Sequence, residues 1–346
     1  MRNFFRRLAE GHENGALSYV LNPFLAAAGT VYAGGVRAAR ALYEKRVFPR
    51  KKLPFPVVSV GNLTWGGTGK TPLVEYLARK VSEKHRTALI LTRGYGRDEV
   101  EQLKHNLPRS VIGVGKDRAQ VAENLRKQHR IDLAILDDGL QHWPVARDLE
   151  IVTVNALNPF GNRKILPRGI LREPLPVLRK ASFIVITHSN LAQPEEMRKL
   201  KEEIRGLAPQ SVLVESYLEP LFFYRARNRS RLSPARLQNQ RVTTFSAVGT
   251  PRSFQLVLAR LGIKPVRNFE FSDHHRFTAA ELEEIKKVSL SASVDEIVTT
   301  EKDFYRAPEE IGKALDPLVL AARLRISAGE ELLTERLFRL LGVAAG

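Results

Sequence analysis

The chain has 346 residues, which is more than one typical hydrophobic core holds, so two domains are expected. Its 55 lysines and arginines outnumber its 37 aspartates and glutamates, and the net charge of +18 favours anionic partners such as nucleic acid, acidic lipids or phosphorylated substrates. Because the chain has no cysteine, disulfide bonds and thiolate-bound metals are excluded.

The first 52 residues combine an uncharged stretch with basic flanks. Residues 16–36 carry no formal charge over 21 positions, and residues 1–52 hold ten basic and three acidic side chains. We expect this segment to lie as a helix on an anionic membrane surface, with apolar side chains inserted and Lys and Arg on the lipid phosphates. A transmembrane span and a helix packed on the domain surface remain as alternatives, whereas a cleaved signal peptide is not expected because the apolar run starts late.

A glycine-rich loop is the strongest local pattern in the chain. An apolar run ends near residue 63, and Gly66-Gly67-Thr68-Gly69-Lys70-Thr71 then leads into the helical spacing of residues 72–81. This is the layout of a phosphate-binding loop, although the strict pattern has glycine where this chain has Thr64. A glycine-rich turn before an ordinary helix is the alternative interpretation.

In a phosphate-binding loop, glycines let backbone N–H groups approach phosphate oxygens, and the helix start adds positive potential. Lys70 is expected to reach the β- and γ-phosphates, and Thr71 is expected to offer its hydroxyl to Mg²⁺. The predicted nucleotide-binding residues are Thr64, Trp65, Gly66, Gly67, Thr68, Gly69, Lys70 and Thr71.

Apolar runs alternate with helical patterns beyond this loop, which predicts a largely parallel sheet covered on both faces. Strands are expected at residues 87–92, 111–114, 131–136, 150–154, 183–187 and 212–214, and later at 242–247, 266–271, 296–300 and 318–321. Helices are expected at residues 194–207, 253–261, 279–288 and 331–341. The predicted boundaries are 53–217 for the nucleotide-binding domain, 218–240 for an aromatic and basic linker or small hairpin, and 241–346 for a C-terminal α/β domain.

Polar clusters follow several of these predicted strands. Asp137 and Asp138 come directly after one strand, where a phosphate-loop enzyme places a carboxylate that supports Mg²⁺, although a solvated acidic turn is the alternative. Gln141 and His142 lie just beyond and are expected within reach of the same site, unless the histidine is a structural hydrogen-bonding residue.

Three further clusters are candidates for binding or catalysis. Arg93 and Arg97 could contact phosphate, and Asp98 could accept the proton of an acceptor hydroxyl, although an exposed loop aspartate is the simpler interpretation. A histidine near residue 274 could tune a carboxylate. Arg172 and Glu173 follow the basic loop 164–168, which could grip an anionic substrate, or they could cap a helix.

Taken together, these segments resemble the tetraacyldisaccharide 4'-kinases, the lipid A 4'-kinases of Gram-negative bacteria. The resemblance covers roughly residues 36–325, and the departure of the loop at Thr64 is shared by the family. The matching motifs, in order, are residues 58–72, Arg93-Gly94-Tyr95-Gly96-Arg97, residues 136–142, residues 166–174, Asp273-His274 and Thr299-Thr300-Glu301-Lys302-Asp303.

The resemblance implies a phosphate-loop kinase-like α/β domain with a parallel sheet and a second, smaller α/β domain, joined by a short β linker. It implies transfer of the γ-phosphate of ATP, with Mg²⁺, to the 4'-hydroxyl of tetraacyldisaccharide 1-phosphate at the cytoplasmic face of the inner membrane. By motif position, Asp98 stands at the family's catalytic aspartate and His274 at its partner. The chain departs from the family by lacking the usual segment before Asp98, where Arg97 and Val100 replace glycine and proline.

Two other function classes fit parts of the sequence. A regulatory ATPase that drives a protein partner would carry lysine where Trp65 stands, and a GTPase would have an Asn-Lys-x-Asp motif, whereas residues 300–303 have their lysine one place late. A nucleic-acid binder would suit the charge of +18, but no stacking-aromatic or recognition-helix pattern occurs, so no nucleic-acid partner is expected.

Overall fold

The computed structural model describes residues 16–94, 97–273 and 275–344, without the side chains of 16–20, 97 and 98. The chain divides into two compact units. Unit 1 takes the residues up to Arg93, Leu107–Tyr217 and the residues from Ile326 onward, and unit 2 takes Gly94–Asn106 and Leu218–Arg325.

The elements are numbered along the chain. They are α1 (Ala16–Glu44), β1 (Val57–Asn62), α2 (Lys70–Glu83), β2 (Ala88–Thr92), α3 (Arg97–Asn106), β3 (Val111–Val114), α4 (Arg118–Leu125), β4 (Leu133–Asp137), β5 (Leu149–Asn155), β6 (Phe183–Thr187), α5 (Pro194–Leu207), β7 (Val212–Arg225), β8 (Arg231–Leu232), β9 (Val242–Ser246), α6 (Pro251–Arg260), β10 (Pro265–Glu270), α7 (Ala279–Ser291), β11 (Glu296–Thr300), α8 (Glu301–Phe304), α9 (Pro308–Ala314), β12 (Leu318–Ala328) and α10 (Glu330–Leu340). Short 3₁₀ turns occur at Leu175–Lys180 and Pro234–Leu237.

Unit 1 is built on a parallel sheet in the order β7-β6-β5-β1-β4-β2-β3. The central strands are buried along their whole length because helices cover both faces, and this explains their continuous apolar sequence. The register pairs Val60 of β1 with Asp137 of β4, so the polar residues that follow both strands lie at one edge. The predicted parallel α/β fold is confirmed.

Unit 2 contains a second set of parallel strands in the order β10-β9-β11-β12. Its core gathers aromatic and aliphatic side chains from the strands and from α7 to α9, among them Phe245, Phe304 and Ile311. The segment expected to be a linker or hairpin forms an antiparallel pair in which Phe223 of β7 lies opposite Leu232 of β8.

Two boundaries differ from the sequence-based expectation. The strand predicted at residues 212–214 continues to Arg225, because Phe223 and Tyr224 in its second half are buried. The closing helix α10 was expected in the C-terminal domain but belongs to unit 1. Its Leu333 and Leu337 are fully buried, and the Tyr76 hydroxyl of α2 donates a hydrogen bond of 2.6 Å to Glu330.

Helix α1 extends eight residues past the uncharged stretch and packs on unit 1 by one side only. Ala33 and Arg40 are buried, whereas Phe24 is 73% and Val31 is 77% exposed. Among the helices of the described residues, none combines the length and apolarity that crossing a bilayer requires.

Candidate active site

The phosphate loop connects the end of β1 to the start of α2. Gly66 (φ 116°) and Gly69 (φ 77°) adopt backbone angles that favour glycine. At Gly69 a side chain would also crowd the neighbouring strand, because a Cβ there would lie 3.0 Å from Thr187 Cγ2. The loop therefore leads directly into the first turn of the 14-residue helix α2, and a helix start of this kind is a suitable site for an anion.

The ends of β5 and β6 fix this loop from one side. The Thr187 hydroxyl donates to the Thr68 carbonyl at 3.1 Å, and Asn155 Nδ2 donates to the Gly67 carbonyl at 3.1 Å. The Thr153 hydroxyl lies 2.9 Å from that of Thr68. Because these carbonyl oxygens have protein donors, the loop is held in shape before a nucleotide arrives.

The segment before Arg172 fixes the loop from the other side. The Trp65 N–H donates to the Ile170 carbonyl at 2.7 Å, and the Arg172 N–H donates to the Leu63 carbonyl at 2.6 Å. Thr64 forms an isolated antiparallel bridge with Leu171 and is buried. Thr64 is therefore strand-like, which explains why this position does not need the glycine of the strict pattern.

Asp138 is the centre of a cationic cluster beside the loop. The guanidinium of Arg172 binds its carboxylate with two bonds, from Nη1 to Oδ2 at 2.9 Å and from Nη2 to Oδ1 at 2.7 Å. Lys70 Nζ lies 3.5 Å from Asp138 Oδ1 and donates to Asn62 Oδ1 at 2.9 Å. A single carboxylate thus aligns the predicted phosphate-binding lysine and an arginine.

The charges in this cluster settle its protonation. Burial raises the pKa of Asp138, but the hydrogen bonds from Arg172 and the charges of Lys70, Arg172 and Arg118 outweigh it, so the pKa lies well below the usual range. Burial lowers the pKa of Arg172, and the bond to Asp138 more than reverses this, so its net shift is upward. At neutral pH Asp138 is therefore an ionised carboxylate surrounded by the charges of Lys70, Arg172 and Arg118.

Asp137 occupies the last position of β4 and is 4% exposed. Burial lowers the pKa of the neighbouring Arg118, and the charges of Asp137 and Asp138 oppose that shift. Arg118, which is 3% exposed, also donates to the Asp138 carbonyl at 3.3 Å. The Thr71 hydroxyl and a carboxylate at a strand end are hard oxygen donors that suit Mg²⁺.

Three comparisons with known proteins bear on this site. A family model described as tetraacyldisaccharide-1-P 4'-kinase (LpxK) matches residues 21–341. A probable mitochondrial tetraacyldisaccharide 4'-kinase of Arabidopsis thaliana is 37% identical, covering 90% of this chain and 88% of its own length. A tetraacyldisaccharide 4'-kinase of Anaeromyxobacter sp. strain K is 35% identical, covering 83% of this chain and 80% of its own length.

This chain belongs to the tetraacyldisaccharide 4'-kinase family. The crystal structure of the Aquifex aeolicus family member LpxK in complex with ATP matches the fold with a TM-score of 0.69 at 26% identity, over 93% of this chain and 99% of that one. The predicted family and the predicted kinase class are confirmed.

The structure of this kinase brings together part of the predicted site. Lys70, Asp138 and Arg172 meet at the loop. Arg93 follows β2 and is exposed. The side chains of Arg97 and Asp98 and the whole of His274 lie outside the described residues, so their predicted roles stay predictions.

The remaining predicted substrate residues surround the Arg172 segment. Gln141 Nε2 donates to the Arg172 carbonyl at 3.3 Å. Glu173 is fully buried and pairs at 3.4 Å with Arg40 of α1. Burial raises the pKa of Glu173, although the charge of Arg40 opposes this shift. Burial and the charges of Arg118 and Arg147 lower the pKa of His142 to about 4. His142 is therefore neutral at pH 7, and Glu173 has a protein partner.

Several residues of this site escaped the sequence analysis. Asn62 bridges Lys70 and the Thr64 carbonyl, and Arg118 and Arg40 are buried arginines. A signal existed for Asn62, because an amide that ends an apolar strand just before a phosphate loop is unusual for a strand interior. No local pattern distinguishes Arg40 or Arg118 from the many other arginines of this basic chain.

Proposed function

We propose that this chain transfers the γ-phosphoryl group of ATP to the 4'-hydroxyl of tetraacyldisaccharide 1-phosphate, which forms lipid IVA in lipid A biosynthesis. The observation that carries the proposal is the convergence of Lys70 and Arg172 on both Asp138 and the Asn62 side-chain oxygen at the edge of the phosphate loop. Family membership supplies the acceptor, and the loop supplies a site for the donor.

In this proposal residues 64–71 hold the ATP phosphates. Lys70 turns its ammonium from Asp138 toward the transferring group, and Arg172 adds a second cation that Asp138 keeps in position. Thr71 and Asp137 are the residues that would hold Mg²⁺, and the ion would neutralise phosphate charge. Asp138, also predicted as a metal residue, has Arg172 and Lys70 as partners, so we assign it to orienting these cations.

The acceptor side of the reaction is assigned by motif position. Asp98 accepts the proton of the 4'-hydroxyl, and His274 tunes that carboxylate. Arg93 and Arg97 contact the phosphorylated lipid, together with Gln141 and His142. Glu173 supports Arg172 from the protein interior, because its carboxylate is fully buried against Arg40.

We further propose that α1 places the kinase on the anionic cytoplasmic face of the inner membrane of a Gram-negative bacterium. Phe24 and Val31 expose apolar surface on this helix. The basic residues that follow, Arg46, Arg50 and Lys51, are also exposed and suit lipid phosphates. Such a peripheral position would give the site access to an acylated substrate.

The direct test is label transfer from ATP to tetraacyldisaccharide 1-phosphate in detergent. Lys70→Ala should lower the initial rate about 10²–10³-fold, because it removes a cation aimed at the transferring phosphoryl group. Lys80→Ala is the matched control, since Lys80 lies on the same helix but pairs with Glu330 at 3.2 Å. ATP hydrolysis that needs a protein partner and no lipid would instead support a regulatory ATPase.

A further inference from the structure

Unit 2 contains a charge cluster formed by Lys302, Glu99 and Asp273, to which the proposed mechanism assigns no role. Asp98 stands in the N-terminal turn of α3, and His274 follows Asp273 in the sequence. The chain neighbours of both residues are described, namely Glu99 and Asp273. A single side chain, Lys302 of α8, contacts these two neighbours.

The contacts of Lys302 are short and partly buried. Its Nζ lies 3.1 Å from Glu99 Oε1 and 3.4 Å from Asp273 Oδ1. The three side chains are 24–25% exposed. Arg306 Nη2 adds a longer contact of 3.8 Å to the same Asp273 oxygen. Burial lowers the pKa of Lys302, but the charges of Glu99 and Asp273 outweigh it and the pKa is raised, so the ammonium stays charged.

Helix α8 gives Lys302 a fixed base. Thr300 caps the helix by accepting the Asp303 N–H at 3.2 Å. Asp303 is completely buried and accepts bonds from the Ala247 N–H at 3.0 Å and the Thr300 hydroxyl at 2.6 Å. Arg306 Nη1 also donates a hydrogen bond of 3.0 Å to Asp303 Oδ1. The helix that carries Lys302 is thus bonded to Ala247, directly after β9, and to Thr300 at the end of β11.

His275, which follows His274 in the sequence, also has fixed partners in unit 2. His275 Nε2 lies 2.9 Å from Glu281 Oε2 of α7, and its ring stacks on Phe271 with a centroid distance of 4.8 Å. The His275 N–H donates to the Ser272 carbonyl at 2.9 Å. The sequence neighbours of His274 on both sides, Asp273 and His275, are thus each held by side chains of unit 2.

We propose that Lys302 is a positioning residue for phosphoryl transfer. By pairing with Glu99 and Asp273, it holds the two segments that carry Asp98 and His274 in fixed register, so that the proton acceptor and its partner stay aligned. This inference rests on the proposed function, because it takes the roles of Asp98 and His274 from there.

The test compares Lys302→Met, Lys302→Arg and Glu99→Gln with wild type in the label-transfer assay. Lys302→Met should lower kcat about 10²-fold, since a misplacement near 1 Å has that effect, and should leave the KM for ATP within about twofold. Lys302→Arg keeps both ion pairs and should recover most of kcat. Glu99→Gln removes one pair and should have an intermediate effect. Lys313→Met, in the same unit and 82% exposed, is the matched control.

A double variant sharpens the result. If Lys302 acts through Glu99, adding Glu99→Gln to Lys302→Met should cause little further loss. The proposal is overturned if Lys302→Met keeps kcat within about twofold of wild type, or if Lys302→Arg is as impaired as Lys302→Met. If Lys302→Met does not fold, Lys302→Arg and Glu99→Gln decide the question by their kcat. Wild type that fails to label the lipid would instead overturn the proposed function, and this inference with it.

Discussion

The two units of this kinase each contain a charge cluster, and the clusters are built in opposite ways. In unit 1 a carboxylate, Asp138, is surrounded by Arg172, Lys70 and Arg118. In unit 2 an ammonium, Lys302, is held by two carboxylates. The side chain of Asp138 is 35% exposed, whereas Asp303 and Arg306, which support Lys302, are 0% and 5% exposed.

The difference indicates two uses of paired charge. The Asp138 cluster is open and rich in cations. Under the proposed function, an incoming phosphate binds Lys70 and Arg172 while the carboxylate keeps these cations in position. The Lys302 cluster rests on a closed ion pair whose members have no solvent to replace a lost partner. We therefore expect substitutions in unit 1 to affect turnover first and those beneath Lys302 to affect folding first.

The largest effect is expected for Arg306→Met. This substitution leaves the fully buried Asp303 carboxylate without its cation, and removing one partner of a buried pair costs about 3–5 kcal/mol. Urea unfolding followed by far-UV circular dichroism measures the loss. Arg325→Met is the matched control, because Arg325 is 61% exposed in its pair with Glu219 and should change stability by less than about 1 kcal/mol. Equal losses of stability in the two variants would contradict the distinction between a buried and an exposed ion pair.

The next effect concerns turnover. Asp138→Asn removes the charge that aligns Arg172 and Lys70, and the rate of label transfer should fall about 10²-fold. The folded state should persist, since the position is partly exposed. Glu202→Gln, in an exposed pair with Arg198, is the control and should keep wild-type rates. Activity of Asp138→Asn within about threefold of wild type would show that the cluster does not organise the phosphate site.

The smallest effect is a difference in pH dependence. The pKa of Asp138 is lowered, so its contribution to stability is present above the unfolded-state pKa near 3.9 and is lost as pH falls toward the folded-state pKa. The pKa of Asp303 is raised, first by burial, so its contribution is present at low pH and is lost as pH rises through the folded-state pKa.

The measurement is urea unfolding of Asp138→Asn and Asp303→Asn at intervals from pH 7 to about pH 3. The destabilisation caused by Asp138→Asn should shrink as pH falls below about 4, because the unfolded wild-type chain is protonated at Asp138 there while the folded chain still holds the charged carboxylate. The destabilisation caused by Asp303→Asn should instead grow as pH falls from 7 toward about 4, because the contribution of Asp303 in the wild type increases over that range. Parallel curves for the two variants would mean that both carboxylates have similar surroundings.

Much of the fold follows from local sequence. The strands β6 and β11 and the helix α5 begin and end where the apolar and helical patterns predicted. The loop glycines and the strand-end acids were identified because phosphate binding requires particular residue types at particular spacings. Arg172 was identified from the basic loop before it and from the family resemblance. The full length of β7 was not predicted, because the burial of Phe223 and Tyr224 in its second half is visible only in the folded structure.

The sequence by itself determined the parallel α/β class, the phosphate loop and the kinase family, because each depends on short-range periodicity or on a motif. Tertiary structure alone decided that Asp138 holds Arg172 and Lys70, that Glu173 faces Arg40, and that Lys302 joins Glu99 to Asp273. The physical reason is that an ion pair is chosen by distance and burial, and this basic chain offers each carboxylate many cations that no sequence spacing can rank.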